Sequence, residues 1–313
     1  MESLSKHPIL EFNPDVMVTL RGRYNLEKSG DMDKAIDILQ DWLNQQDHIS
    51  NKTFSRDYLE RTIIVQKGSI ERAKAAIDKL CTVRTLLPRF FESNDVKDIY
   101  KTIYGTFTQV ILPKQTKEYY RIYIPQILKN GFDSDMLFKT LQLAALFCDY
   151  FNAIDYCDGI IFISDFTGVD IINGMKAINI VDIRQAATVF LQGFSVRVKA
   201  IHFISPSTAI DLFVTFLKTI IKKKLSDRIH VHKSMEELHK FVPKELLPVN
   251  YGGDLKSLNE WSADWVNVLS SEKARALIKD IRSNKTDEKY RDTVQFNEQY
   301  MGMAGSFRTF TVD

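Results

Sequence analysis

Cysteine is scarce: Cys81, Cys148 and Cys157 are the three that the 313 residues contain. So small and odd a set cannot form the even framework of a disulfide-stapled domain, so a reducing cytosol is the expected home. Long hydrophobic runs are missing as well. None approaches the roughly 18 residues needed to span a bilayer, and Met1-Glu2-Ser3-Leu4-Ser5-Lys6 lacks the apolar core of a secretory signal. Any membrane contact is therefore expected to be peripheral. Neither charge dominates, because 42 Lys and Arg face 40 Asp and Glu for a net of +2. That excludes a general nucleic-acid binder and makes any basic footprint a local one.

Catalytic signatures are also lacking. There is no Gly-x-Ser-x-Gly elbow, no dinucleotide fingerprint, no Cys-x-x-Cys, no internal repeat and no low-complexity stretch. Gly252-Gly253-Asp254-Leu255-Lys256-Ser257 has the outline of a phosphate loop but not the glycine required just before the lysine. His230 and His232 share a strand face, and with His202 on a neighbouring strand a three-histidine metal site is conceivable. The overall reading is non-catalytic, with no cofactor and no metal.

What is present is a change of periodicity near Pro113. Before it, Met32, Ala35, Ile36, Leu39, Trp42 and Leu43 lie on one helical face after a cap at Asp31. Ile70, Ala73, Ile77 and Leu80 do the same after Ser69. Pro88 ends that helix, and one more element is expected over 96–107. After it, Tyr119 to Ile124, Gly159 to Asp165, Val198 to Ile204 and Arg228 to His232 read as strands. Helices are expected over 136–156 and from Ser207 to about Lys224. Strand and helix in alternation predict an α/β fold: a helical N-terminal module over 1–112, then a mostly parallel sheet over 113–313 with a C-terminal helical extension around Trp261, Trp265, Val268 and Leu269.

The order of these motifs resembles the CRAL-TRIO family of lipid-transfer proteins. Asp165 and Gly168 follow the first buried strand as they do in the family. Arg228-Ile229-His230-Val231-His232 and Leu247-Pro248-Val249-Asn250-Tyr251-Gly252-Gly253 match two further family motifs. Upstream, Tyr58 to Thr62 and Ile70 to Lys74 are similar to the family's helical N-terminal module, although Gln66-Lys67-Gly68 stands where basic and aromatic residues are usual. Downstream, Gly302 to Arg308 is similar to the tail of the branch that holds alpha-tocopherol transfer protein and cellular retinaldehyde-binding protein.

The resemblance implies a hydrophobic lipid of the isoprenoid, tocopherol, retinoid or carotenoid kind as ligand, and phosphoinositide-bearing membranes as partner. It gives the histidines no metal-binding role. Between Ala209 and Ile221 nine of thirteen positions are apolar, more than one buried arc of roughly 100° requires. Periodicity leaves two readings open: a helix buried on most sides by the C-terminal extension, or, as the resemblance implies, a gate over a ligand cavity. Val189, Phe194, Ile201, Phe203, Phe213 and Leu217 match the family's lipid-lining positions, and each alone reads equally as core. Arg197, Lys199, Lys224 and Arg228 match a basic cleft for a phosphoinositide head group. Taken without the family, the lysines read as a solvated helix end. Two alternatives stand beside the carrier: phospholipid exchange or sensing, and a signalling or trafficking adaptor that binds proteins through the Trp261 and Trp265 helix. Oligomeric state is not legible.

Overall fold

The computed structural model describes residue 4 and residues 6–291. The Gly302 to Arg308 motif lies outside them. Helices α1 (Val16–Arg23), α2 (Asp31–Asn44), α3 (Arg56–Val65), α4 (Ile70–Leu86) and α5 (Val96–Ile103) come first. Met32, Ala35, Ile36, Leu39 and Leu43 form the buried face of α2. Ser69 caps α4 by accepting from the Arg72 N–H. Asp31 does not cap α2; it is the first helical residue, and Gly30 at φ +81 holds the cap position. The carboxylate still lies in the first turn, where the helix dipole favours it.

Strands β1 (Phe107–Gln115), β2 (Tyr120–Ile127), β3 (Gly159–Asp165), β4 (Val198–Ile204) and β5 (Ile229–His232) form one sheet in chain order. β1 runs antiparallel to β2 and the remaining pairs are parallel. The sheet thus begins at Phe107, ahead of Pro113, and β1 is a strand that the sequence pattern did not disclose. Pro113 is tolerated because β1 is an edge strand and its register shifts between Ile111 and Gln115.

Helix α6 (Ser134–Ile154) connects β2 to β3, α7 (Ile171–Lys176) and α8 (Ile180–Ala187) connect β3 to β4, and α9 (Ala209–Lys218) and α10 (Lys223–Ser226) connect β4 to β5. Parallel crossovers of one hand, in a sheet ordered as the chain runs, place these helices on one face. The other face packs Ile122, Ile161, Ile163 and Ile204 into one core with Leu238, Leu247 and Tyr251. Helices α12 (Leu258–Leu269) and α13 (Glu272–Ser283) return to β1, where the Trp265 indole N–H donates to the Ile111 carbonyl at 2.8 Å. Trp261 and Trp265 are only 8% and 1% exposed, so α12 does not present the aromatic surface that the adaptor alternative needs. A Cβ on Gly253 would lie 2.1 Å from the Leu247 carbonyl oxygen. The double glycine therefore serves close backbone packing.

One buried ionic group ties α4, α6 and α13 together. Asp149 on α6 accepts from Arg84 on α4 at 2.7 Å and from Arg282 on α13 at 2.6 Å, and both side chains of the Arg84–Asp149 pair are fully buried. Arg84 also donates to the carbonyls of Ile281 and Asn284.

Candidate functional site

The sheet register puts Tyr123, Phe162, Ile201 and Ile229 side by side on the helix-covered face. A parallel sheet ordinarily buries both faces. Here the far face is buried at Ile163 and Ile204, 0% and 1% exposed, though half-buried at Ala200 and His230, whereas on the helical face Tyr123 and Phe203 are buried and Ile160, Phe162, Ile201, Ile229 and Val231 are only half-buried. Among the described residues, cover over β3, β4 and β5 is therefore incomplete, and the apolar floor is only partly roofed.

The structure divides the six expected lining residues between two apolar groups. Val189 and Phe194 pack with Leu80, Val83, Phe90 and Phe138. Ile201, Phe203, Phe213 and Leu217 gather with Ile171, Ile210 and Val214. The Phe213 ring lies 5.2 Å from Phe166 and 5.6 Å from Phe203. The helix expected from Ser207 to Lys224 is two pieces: α9 ends at Lys218, and Lys222 is extended at ψ 148 before α10. Thr219, Ile220 and Ile221 are three β-branched residues in succession, which weaken helical continuation there. On α9, Ile210 and Val214 are buried, Phe213, Phe216 and Leu217 half-buried, and Leu212 is 56% exposed. The described part of the C-terminal extension, up to residue 291, does not bury this helix on most sides. A cavity of about 70 Å³ lies where α3, α4 and α6 meet the start of β3, lined by Tyr58, Arg61, Leu80, Ile160 and Phe194 among others. Phe194 is the one expected lining residue that borders it.

The cations converge at the opposite end of the strands from the β4–α9 turn. Lys199 crosses Gly159, where a Cβ would fall 2.6 Å from the lysine Cε and 2.7 Å from the Arg197 carbonyl. That passage brings the Lys199 ammonium to Asp158 at 3.1 Å, beside Arg197 at 2.6 Å and Arg23 at 2.8 Å. The Tyr24 hydroxyl also donates to Asp158. Arg228 donates to the Val198 carbonyl, between the two strand cations. After α3 the chain turns through Lys67 and Gly68, both at positive φ, and packs on Tyr24. The Lys67 ammonium titrates below the ordinary lysine range, chiefly because of Arg197, with burial and the charges of Lys224 and Lys199 adding to it. Lys67 after α3, Arg197 and Lys199 at the start of β4, and Lys224 on α10 thus share one field. Lys67, Arg23, Tyr24 and Asp158 were not identified from the sequence as members of this site.

The histidines stack instead of chelating. His202 Nδ1 and His232 Nε2 are 2.8 Å apart, and the His202 ring lies parallel to His230 and His232 at 5.1 Å from each. Among the described residues no group of three His, Cys, Asp or Glu could hold a metal ion. Burial, with the charges of His232 and His230, pushes the His202 pKa down to about 3. A folded-state pKa below the unfolded value contributes stability above about pH 6.5 that is lost as pH falls towards the folded value. Between pH 6.5 and 5 the loss is about 2 kcal/mol, at about 1.4 kcal/mol per unit. Urea denaturation at the two pH values should show a smaller difference for His202→Gln by that amount. Parallel stability curves would mean that the imidazole titrates normally.

Residues 99–253 match the CRAL/TRIO domain model, and residues 28–99 match the model described as Pinta-like, UBA domain. Alpha-tocopherol transfer protein-like proteins of Mus musculus and Homo sapiens are each 26% identical over 113 residues, 36% of this chain and 32% of theirs. The match thus spans about a third of those relatives. The crystal structure of Sfh5 superposes with a TM-score of 0.47 at 10% identity, covering 81% of this chain and 93% of that one. Lipid binding and transfer is the general function that the CRAL/TRIO match supports. The protein carries a CRAL/TRIO domain across its sheet and belongs to the CRAL-TRIO family.

Proposed function

We propose that this protein is a non-catalytic cytosolic carrier: it takes up one hydrophobic molecule of the isoprenoid, tocopherol, retinoid or carotenoid kind and exchanges it at phosphoinositide-bearing membranes. The observation that carries this reading is the half-covered apolar floor beneath α9. Ligand pockets run to about 300–1,000 Å³, so the cavity of about 70 Å³ between α3, α4 and α6 is too small for such a molecule, and the lipid is assigned instead to the floor under α9. The weakly covered helix, with Leu212 exposed and Phe213 and Leu217 half-buried, is the element whose displacement exposes the floor. In this reading the helices α1 to α5 support the cation cluster, and the sheet that begins at Phe107 holds the lipid with its crossover helices.

Energetics argue for a docking step. Withdrawing an apolar chain from water is favourable by roughly 0.8 kcal/mol per methylene, but the same chain in a bilayer already has that benefit. Extraction is nearly balanced and has to occur at the membrane itself. No helix among the described residues is long and apolar enough to cross one. The clustered cations supply peripheral attraction, at about 1 kcal/mol each near an anionic surface.

Mass spectrometry of an organic extract of the purified protein tests the carrier reading. One bound isoprenoid-type molecule per chain is expected. A bound phospholipid would favour exchange or sensing, and an empty extract together with failure to bind fluorescent lipids of these classes would remove the carrier. Docking is tested by Lys67→Glu combined with Lys224→Glu, two exposed side chains with no ion-pair partner among the described residues. Loss of both cations is expected to weaken co-sedimentation with phosphoinositide vesicles by at least about 2 kcal/mol, roughly thirtyfold, with unchanged affinity for the hydrophobic ligand. Equal binding of the unmodified protein to phosphatidylserine vesicles of matched charge would leave a nonspecific basic patch.

A further inference from the structure

Asp158 immediately precedes β3 and is 2% exposed. Its Oδ1 accepts from Arg197 Nη1 at 2.6 Å and from the Tyr24 hydroxyl, and its Oδ2 accepts from Arg23 Nη1 at 2.8 Å and Lys199 Nζ at 3.1 Å. A carboxylate has about four lone-pair sites, so four donors saturate it. Burial alone would raise its pKa, yet the Tyr24 hydrogen bond and the charges of Arg197 and Lys199 hold it below the usual carboxylate range. It stays ionised. Both strand cations of the proposed head-group cleft are therefore already neutralised in part from within, while Lys67 and Lys224 are not.

We propose that Asp158 is an internal counter-anion that sets the selectivity of the cleft, admitting lipid head groups with several phosphomonoester charges and refusing singly charged ones. This rests on the docking reading above. A head group of one negative charge, such as a phosphodiester or phosphatidylserine, offers Arg197 and Lys199 no more than Asp158 already gives them. Asp158 also gives it without the translational cost of binding. A phosphoinositide bisphosphate differs in kind: its extra charges engage Lys67 and Lys224 at the same time as they share the donors of the strand cations. Discrimination then comes from the repulsion that the fixed carboxylate applies to every entering anion, which only a dense charge overcomes.

The test compares the unmodified protein with Asp158→Asn, which keeps an oxygen for the Tyr24 hydroxyl and removes the charge. Co-sedimentation is measured with phosphatidylcholine vesicles containing phosphatidylinositol bisphosphate, or phosphatidylserine at matched charge density. Asp158→Asn should bind phosphatidylserine vesicles about fivefold more tightly, the factor for one unit of added positive charge beside an anionic surface. Bisphosphate binding should change less, so the preference narrows. Unchanged phosphatidylserine binding with the preference intact overturns the proposal and leaves docking standing, as does weaker binding to both vesicles, which would make Asp158 a positioning residue. If the unmodified protein does not distinguish the two vesicles, the docking reading itself fails. Tyr24→Phe removes a neutral hydrogen bond from the carboxylate and keeps its charge, so it should retain the full preference even if Asp158→Asn does not fold. A preference lost in Tyr24→Phe would show that geometry, not charge, sets it. Titration with inorganic phosphate separates a free anion from a head group: no saturable heat is expected, and saturation would overturn the head-group assignment.

Discussion

Asp149→Ala is expected to lower the unfolding free energy by about 3–5 kcal/mol. The substitution leaves Arg84 and Arg282, at 0% and 5% exposed, as two buried guanidinium ions with no carboxylate between them. Arg84 Nε and Arg282 Nη2 already lack hydrogen-bond partners among the described residues, and the neutral carbonyls that the two guanidinium groups also reach do not replace a carboxylate's charge. For a protein whose whole margin is about 5–15 kcal/mol, the variant should unfold at a much lower urea concentration by far-UV circular dichroism. A loss below about 1 kcal/mol would mean that water reaches the triad. Converting all three residues to apolar side chains of similar volume should be far milder, because it removes the charges along with their partner.

Phe213→Asp combined with Leu217→Asp is expected to abolish uptake of a fluorescent hydrophobic lipid, raising its dissociation constant more than about a hundredfold, while the thermal melt stays cooperative. Both side chains belong to the apolar group over β4 and β5, and neither is fully enclosed. A carboxylate at either place can turn to water if α9 lifts, but it cannot lie against Phe166 and Phe203 beneath the helix without a cost of several kcal/mol. The apolar floor would thus lose its cover or gain buried charge, and both outcomes disfavour a lipid. Loss of the cooperative melt would instead identify Phe213 and Leu217 as ordinary core.

Most of the fold was legible because its signals are local. The alternation of buried strand runs with amphipathic helices gave β2 to β5 and α6, and Ser69 marked the start of α4 through a bond made three residues away. β1 was hidden by Pro113, which reads as a boundary unless the strand is known to lie at an edge. The break after α9 follows from Lys222 adopting an extended conformation, and a run of apolar and basic residues conceals it. The site was legible in halves. Arg197, Lys199, Lys224 and Arg228 stand close together in the chain, whereas Tyr24 and Lys67 come from the N-terminal helices and meet Arg197 across 173 residues in the case of Tyr24. Asp158 carries no local mark at all. A lone aspartate before a glycine reads as a turn, and only the register of β3 against β4 turns it towards the strand cations.

The chain order of the sheet bears on how the molecule is assembled. With neighbours β1-β2-β3-β4-β5, every new strand pairs with the one made just before it, so no strand has to insert between two that are already joined. Each pairing closes a loop of one crossover only, which keeps the entropic toll of a parallel sheet low. A further long-range step follows, when α12 and α13 travel back to β1 and Arg282 reaches Asp149 across 133 residues. Until that helix emerges from the ribosome, Arg84 has its carboxylate but not the carbonyls of Ile281 and Asn284. The C-terminal helices are thus the clasp of the fold, and a nascent chain that stops short of them holds a sheet whose first edge is still open.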